Sequence, residues 1–281
     1  MPMSRFWSSV WTVVGFLLLL AFLQSLADRV VTLFDLLPMV APGAARWALA
    51  VSHAVVPIWG ALTYVDWRWG WKPDNAGMRQ TAAARFWLLP GLGGGLVLAG
   101  LGFLIGGWGR VPQPDLAPET LIQAALAAVA LFGTELIFRG ILSSRFAQDL
   151  TDREVLILTL AGPVVWGVFA PVLGQMFGLT IPHPAIDGLG SLALSLLLSL
   201  LFLQTQSVWL VAGAQIGLDL GRRLLGLAYS DGALFLVAAV PAAVLLWLEL
   251  DRMRRIRRPG PRGGRRRVVY GKTVRGPWGP H

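Results

Sequence analysis

Cysteine is missing from all 281 residues, histidine occurs only three times, and Asp, Glu, Lys and Arg together make up 14% of the chain. The first absence excludes disulfides, thiolate metal sites and a cysteine nucleophile. The second leaves too few imidazoles for a histidine-built zinc site, and neither a metal nor a cofactor is expected. The third decides the solvent. A soluble domain carries about 25% charged residues, so a chain with 55% hydrophobic residues cannot cover a water-facing surface. The sequence is that of a membrane protein.

What is present is a succession of apolar runs of bilayer length, about 20 residues each. They cover Phe6 to Ala27, Ala45 to Val65, Phe86 to Trp108, Leu121 to Phe138, Val155 to Leu173, Leu189 to Leu203, Val208 to Leu227 and Ala233 to Leu250. The expected fold is therefore an all-α polytopic bundle of about eight transmembrane helices. The first run exceeds the 7 to 15 apolar residues of a signal peptide, and reads as an uncleaved anchor rather than a leader ending at Ser25-Leu26-Ala27. Asp28 to Ala44 reads as a loop. Pro163 and Pro171 are expected to break the fifth span. Trp67, Trp69 and Trp71 mark a headgroup level, and the glycines of the third span suit close helix contact rather than phosphate binding.

Of 24 Lys and Arg residues, only Arg29, Arg46, Arg110, Arg222 and Arg223 fall on one side when the spans alternate from a cytoplasmic N-terminus. That bias gives the expected location, a bacterial cytoplasmic membrane with both termini in the cytoplasm. The Arg-, Gly- and Pro-rich stretch from Asp251 cannot bury a core and is expected to be a disordered tail on anionic headgroups. With no nucleic-acid-reading module beside it, nucleic acid is not an expected partner. Three regions follow: 1–119 with the first three spans, 120–250 as a helical core, and 251–281 as the basic tail. His53 reads as hydrogen-bonded near the bundle edge, and His183, with a proline on each side, as a turn residue at the surface.

The stretch Gly133-Thr134-Glu135-Leu136-Ile137-Phe138-Arg139-Gly140 places a carboxylate and a guanidinium at i and i+4 in an apolar run, where intramembrane charge is rare and usually functional. It reads as the end of the fourth span. Further on come Trp166-Gly167-Val168-Phe169-Ala170, and then Ser207-Val208-Trp209 leading to Ala214-Gln215-Ile216-Gly217-Leu218-Asp219. In order and spacing, from Leu121 to Leu227, these resemble the signatures of the CPBP family of intramembrane proteases, also called the ABI or type II CAAX prenyl endopeptidase family.

The resemblance implies a CAAX-protease-like helical bundle and site positions at Glu135, Arg139, Gln215 and Asp219. In the family, a glutamate helped by two histidines activates water, and an asparagine stabilises the oxyanion. Here Thr134 stands for the first glutamate, Ala170 and Gln215 for the histidines, and Asp219 for the asparagine. Thr134 and Ala170 offer no base at neutral pH, and Gln215 can orient but not exchange a proton. The sequence thus points to a family member that has lost proteolysis and serves as a scaffold, adaptor or immunity-type binding protein with a membrane protein or peptide partner. A divergent protease using Glu135 is the alternative, and a small-solute transporter the third. A carboxylate dyad of Glu135 and Asp219 is the other reading of these two acids, but cations three or four residues beyond each favour ion pairing instead.

Overall fold

The computed structural model describes residues 3–35, 44–70, 86–107, 110–179, 181 and 183–257, and every regular element among them is helical. The helices are α1 (Met3–Asp35), α2 (Ala44–Trp69), α3 (Leu88–Gly106), α4 (Pro118–Glu135), a π-helical turn (Leu136–Ile141), α5 (Leu142–Asp149), α6 (Asp152–Phe177), α7 (Leu189–Thr205), α8 (Val208–Arg223) and α9 (Asp231–Arg257). With α4, the π turn and α5 read as one rod, six helices are long and apolar enough to cross a membrane. The shorter α7, of 17 residues, is leucine-rich, and α8 has 16 residues. At 1.5 Å per residue these two reach only about 24 to 26 Å, just under a typical hydrocarbon core.

Several boundaries differ from the sequence expectation for identifiable reasons. Residues 28–35 continue α1 instead of opening a loop, because a helical Asp28 reaches the polar group of α2: His53 Nε2 lies 3.0 Å from its Oδ1, and Gln24 Nε2 donates to that oxygen at 2.8 Å. Pro163 and Pro171 lie inside an unbroken α6. In lipid the backbone stays helical around a proline because neighbouring helices re-satisfy the freed groups. The Glu135 stretch lies inside a 30-residue apolar helix, Pro118–Ala147, rather than at its end. Arg139 is accordingly a core residue and not a loop cation. Helix α9 extends to Arg257, so 251–257 are helical. The remainder of the expected tail, and Trp71, lie outside the described residues.

Packing is densest where backbones touch. Helices α3 and α8 cross with Gly91, Gly95, Gly213 and Gly217 at the contact: a Cβ on Gly95 would come 2.0 Å from the Ala214 carbonyl oxygen, and one on Gly217 2.2 Å from that of Leu92. Small residues supply this kind of association where lipid removes the hydrophobic drive between helices. Gly93, Gly94 and Gly100 have open space at the Cβ position. The main apolar core joins Phe16, Leu20 and Ala61 of α1 and α2 to Leu136, Ile137 and Ile141, to Leu197 and Leu198 of α7, and to Val208 and Val211 of α8. The π turn runs through its middle.

Candidate functional site

Helix α4 begins at Pro118, a residue suited to the first turn, with Asp115 accepting from the Ala117 N–H at 3.0 Å and the Thr120 hydroxyl at 2.8 Å. That backbone hydrogen bond first, then the hydroxyl, holds the Asp115 carboxyl below the usual aspartate range. The helix continues to Glu135 and then widens. The Leu142 N–H bonds to the Ile137 carbonyl, five residues back, and all six residues of the turn are buried. A π turn is an α-helix with one residue added, a feature often found at functional sites.

Glu135 and Arg139 face each other across this turn. Arg139 Nη1 donates to Glu135 Oε1 at 2.6 Å, with the two side chains 1% and 0% exposed. Arg139 is the largest fully buried side chain among the described residues. Its remaining donors go to α7: Nη2 to the Ser195 carbonyl at 2.9 Å and to Ser195 Oγ at 2.8 Å, and Nε to Ser199 Oγ at 3.3 Å. Ser195 and Ser199 are four apart, so one helix face presents both hydroxyls to one guanidinium. A buried ion pair survives only when its remaining hydrogen-bonding capacity is met, and α7 meets it on the arginine side. On the acid side Glu135 Oε2 is buried with no partner among the described residues.

The other predicted positions have partners of their own or none in common with this pair. The Thr134 hydroxyl donates to the Ala130 carbonyl at 3.0 Å, which commits it to its own helix. Gln215, on α8, has its Oε1 buried with no partner among the described residues. Ser207 caps α8 by accepting from the Leu210 N–H at 3.4 Å, and Trp209 stacks 5.0 Å from Phe132, one turn before Glu135. Asp219 belongs to a separate, half-exposed pair with Arg223 at 2.7 Å, while Arg222 lies over the ring of Tyr229. Each carboxylate is thus neutralised by the arginine four residues on, and each has its own cation rather than the other acid. Ala170 falls in a different cluster from Glu135, with Ala21 of α1 and Ile181.

Among the described residues no three His, Cys, Asp or Glu side chains gather as a metal site requires. Sequence reading named Glu135 as the partner of Arg139 and missed Ser195 and Ser199. The signal was there in Ser191, Ser195 and Ser199, a serine every fourth residue of a leucine-rich run.

These features describe a membrane-embedded helical bundle organised around a buried Glu–Arg pair. Residues 116–221, from just before α4 to the last turn of α8, match the family model described as Type II CAAX prenyl endopeptidase Rce1-like. That segment is similar to an Rce1-like domain, and the Glu135, Ala170 and Gln215 stretches that carry the resemblance lie within it. No curated protein and no solved structure gives a significant match to the chain.

Proposed function

We propose that this CAAX-protease-like membrane protein binds a membrane protein or peptide without cleaving it. The observation that carries the reading is the state of Glu135. Its Oε1 is held by Arg139, Arg139 is held by Ser195 and Ser199, and the carboxylate is fully buried. A general base needs a proton-accepting atom within reach of water and a pKa near the working pH. The positions beside it in the family pattern, Thr134, Ala170 and Gln215, supply none. Gln215 and Asp219 act here as polar fixtures of α8, and Glu135 and Arg139 as the brace between the π turn and α7.

In the same reading, residues 1–119 are accessory helices, 120–250 the functional core and 251–281 a basic tail on anionic headgroups, with both termini in the cytoplasm. The test uses the full chain in proteoliposomes, offered a farnesylated C-terminal peptide or an apolar transmembrane peptide, with products read by mass spectrometry. No cleavage is expected. Cleavage abolished by Glu135→Gln overturns the proposal and installs the second reading, a divergent protease. The unpartnered Glu135 Oε2 favours that alternative, because it is the one carboxylate oxygen left to take a proton.

A further inference from the structure

Glu135, Asp219, Glu249 and Asp251 each pair with an arginine three or four residues further on. Asp28, near the end of α1, has Val31 and Thr32 at those places. Its carboxylate is met instead by Gln24 Nε2 at 2.8 Å, by Ser52 Oγ at 3.4 Å and by His53 Nε2 at 3.0 Å. The first two groups carry no charge, and His53 does so only when protonated. All three contacts go to Oδ1. Asp28 Oδ2 has no partner among the described residues, and the side chain is 18% exposed. Gln24, only 2% exposed, has its Oε1 buried with no partner among them. Both polar atoms of an amide sit on one carbon, so this second acceptor stands beside the carboxylate.

A carboxylate in lipid is costly unless it is paired, and this one lies at a definite depth. The apolar part of α1, Phe6–Leu33, has 28 residues and a length of about 42 Å, which matches a bilayer with its headgroups. Asp28 is five residues from the end of that stretch and His53 six from the start of Trp47–Trp69, so they sit about 8 and 9 Å in, at the boundary of headgroups and acyl chains. The neighbouring face of α1 is open. Phe22, Leu26, Arg29 and Leu33 follow at steps of four, three and four residues, which places them in one stripe, and all four are exposed. Arg29 makes no ion pair among the described residues. A cation thus stands next to the acid, with Phe22 and Leu26 leading from both towards the bilayer centre.

We infer that Asp28, Gln24 and Arg29 form a binding site for a phospholipid whose headgroup ends in a primary ammonium. The ammonium donates to Asp28 Oδ2 and Gln24 Oε1, the phosphate accepts from Arg29, and the acyl chains lie along Phe22 and Leu26. Ser52 and His53 hold the carboxylate from α2, so the bound lipid also ties the first two helices together. A trimethylammonium headgroup has the same charge but no N–H for Gln24, and an uncharged glycerol headgroup brings no cation to Asp28. A lysine from a neighbouring helix would supply the ammonium but nothing for Arg29. The site is separate from Glu135 and stands independently of the binding reading above.

The test offers the delipidated full chain in detergent equal amounts of ethanolamine, choline and glycerol phospholipids with identical acyl chains, and counts retained lipid by native mass spectrometry. The ethanolamine lipid is expected to be retained several-fold over the other two. Asp28→Asn is expected to abolish that preference. Arg29→Gln, at an exposed position whose change leaves the packing intact, is expected to lower retention of the ethanolamine lipid several-fold. Soluble phosphoethanolamine is expected not to compete, because it has no chains for Phe22 and Leu26, and a transmembrane peptide ending in one lysine is expected to be retained less than the lipid. Equal retention of the three lipids, a preference that survives Asp28→Asn, or retention unchanged by Arg29→Gln overturns the inference. So does full competition by phosphoethanolamine, or stronger retention of the peptide.

Discussion

Ser199 Oγ accepts from Arg139 Nε at 3.3 Å across 60 positions of sequence, one turn beyond Ser195, which holds the same guanidinium through its carbonyl and its hydroxyl. Two serines of a leucine-rich helix thus fix the arginine that fixes Glu135. Removing one member of a buried ion pair leaves an uncompensated charge and costs about 3–5 kcal/mol, whereas replacing both with apolar residues is far milder. Arg139→Met is therefore expected to lower stability in detergent by that order, and Glu135→Leu with Arg139→Met together by much less. A thermal-unfolding double-mutant cycle measures the difference, and strict additivity would show that the pair is not coupled.

The α3 glycines divide into two sets with opposite expected outcomes. Gly95→Ala drives a Cβ to 2.0 Å from the Ala214 carbonyl oxygen, against backbone that cannot swing away, and is expected to cost about 1–3 kcal/mol by overpacking. Gly93→Ala meets nothing within 4 Å and is expected to stabilise by up to about 1 kcal/mol through helix propensity. Denaturation midpoints of the two variants in the same detergent provide the comparison. Equal effects would remove the close crossing as the origin of the α3–α8 association.

Burial pushes the Tyr229 phenol up to about 12, with the Arg222 guanidinium over its ring pulling the other way. A group with a raised folded-state pKa contributes stability that is complete below its unfolded value, here 10.0, and is lost as pH rises towards the folded one. Stability is therefore expected to decline from pH 10 towards pH 12. Tyr229→Phe keeps the ring over Gly102 and under Arg222 but removes the titration, so its alkaline decline is expected to be shallower. Parallel unfolding curves across that range test the assignment.

Much of this was readable from residue order. The apolar runs marked the helices because span length is a property of the bilayer, and Glu135 with Arg139 announced a pair because their spacing closes a helical turn. The ends of α1 and α6 were not readable: a polar Asp28 and two prolines look like breaks in water-based rules, while inside a bundle each finds compensation. The second half of the Glu135 site lies 60 residues away, on serines marked only by their four-residue spacing in a leucine-rich run. In the sequence Ala170 reads as the replacement of a histidine. In the fold it is fully buried against Ile181 and Ala21.

The π turn has a consequence for phase. Its additional residue rotates everything downstream by about 100° around the helix axis relative to an uninterrupted α-helix. That rotation brings Arg145 over Trp69, 5.4 Å from the ring centroid, and Trp69 in turn meets Tyr64 edge-on and Phe16 at a tilt. Deleting one residue between Leu136 and Ile141 lets the turn close as α-helix and leaves the helix beyond it in the same phase, so Arg145 is expected to stay over the ring, which fluorescence in a background where Trp69 is the sole tryptophan would record. The added residue that shapes the Glu135 pocket is absorbed within one turn, so the pocket can change while the helix beyond it keeps its direction.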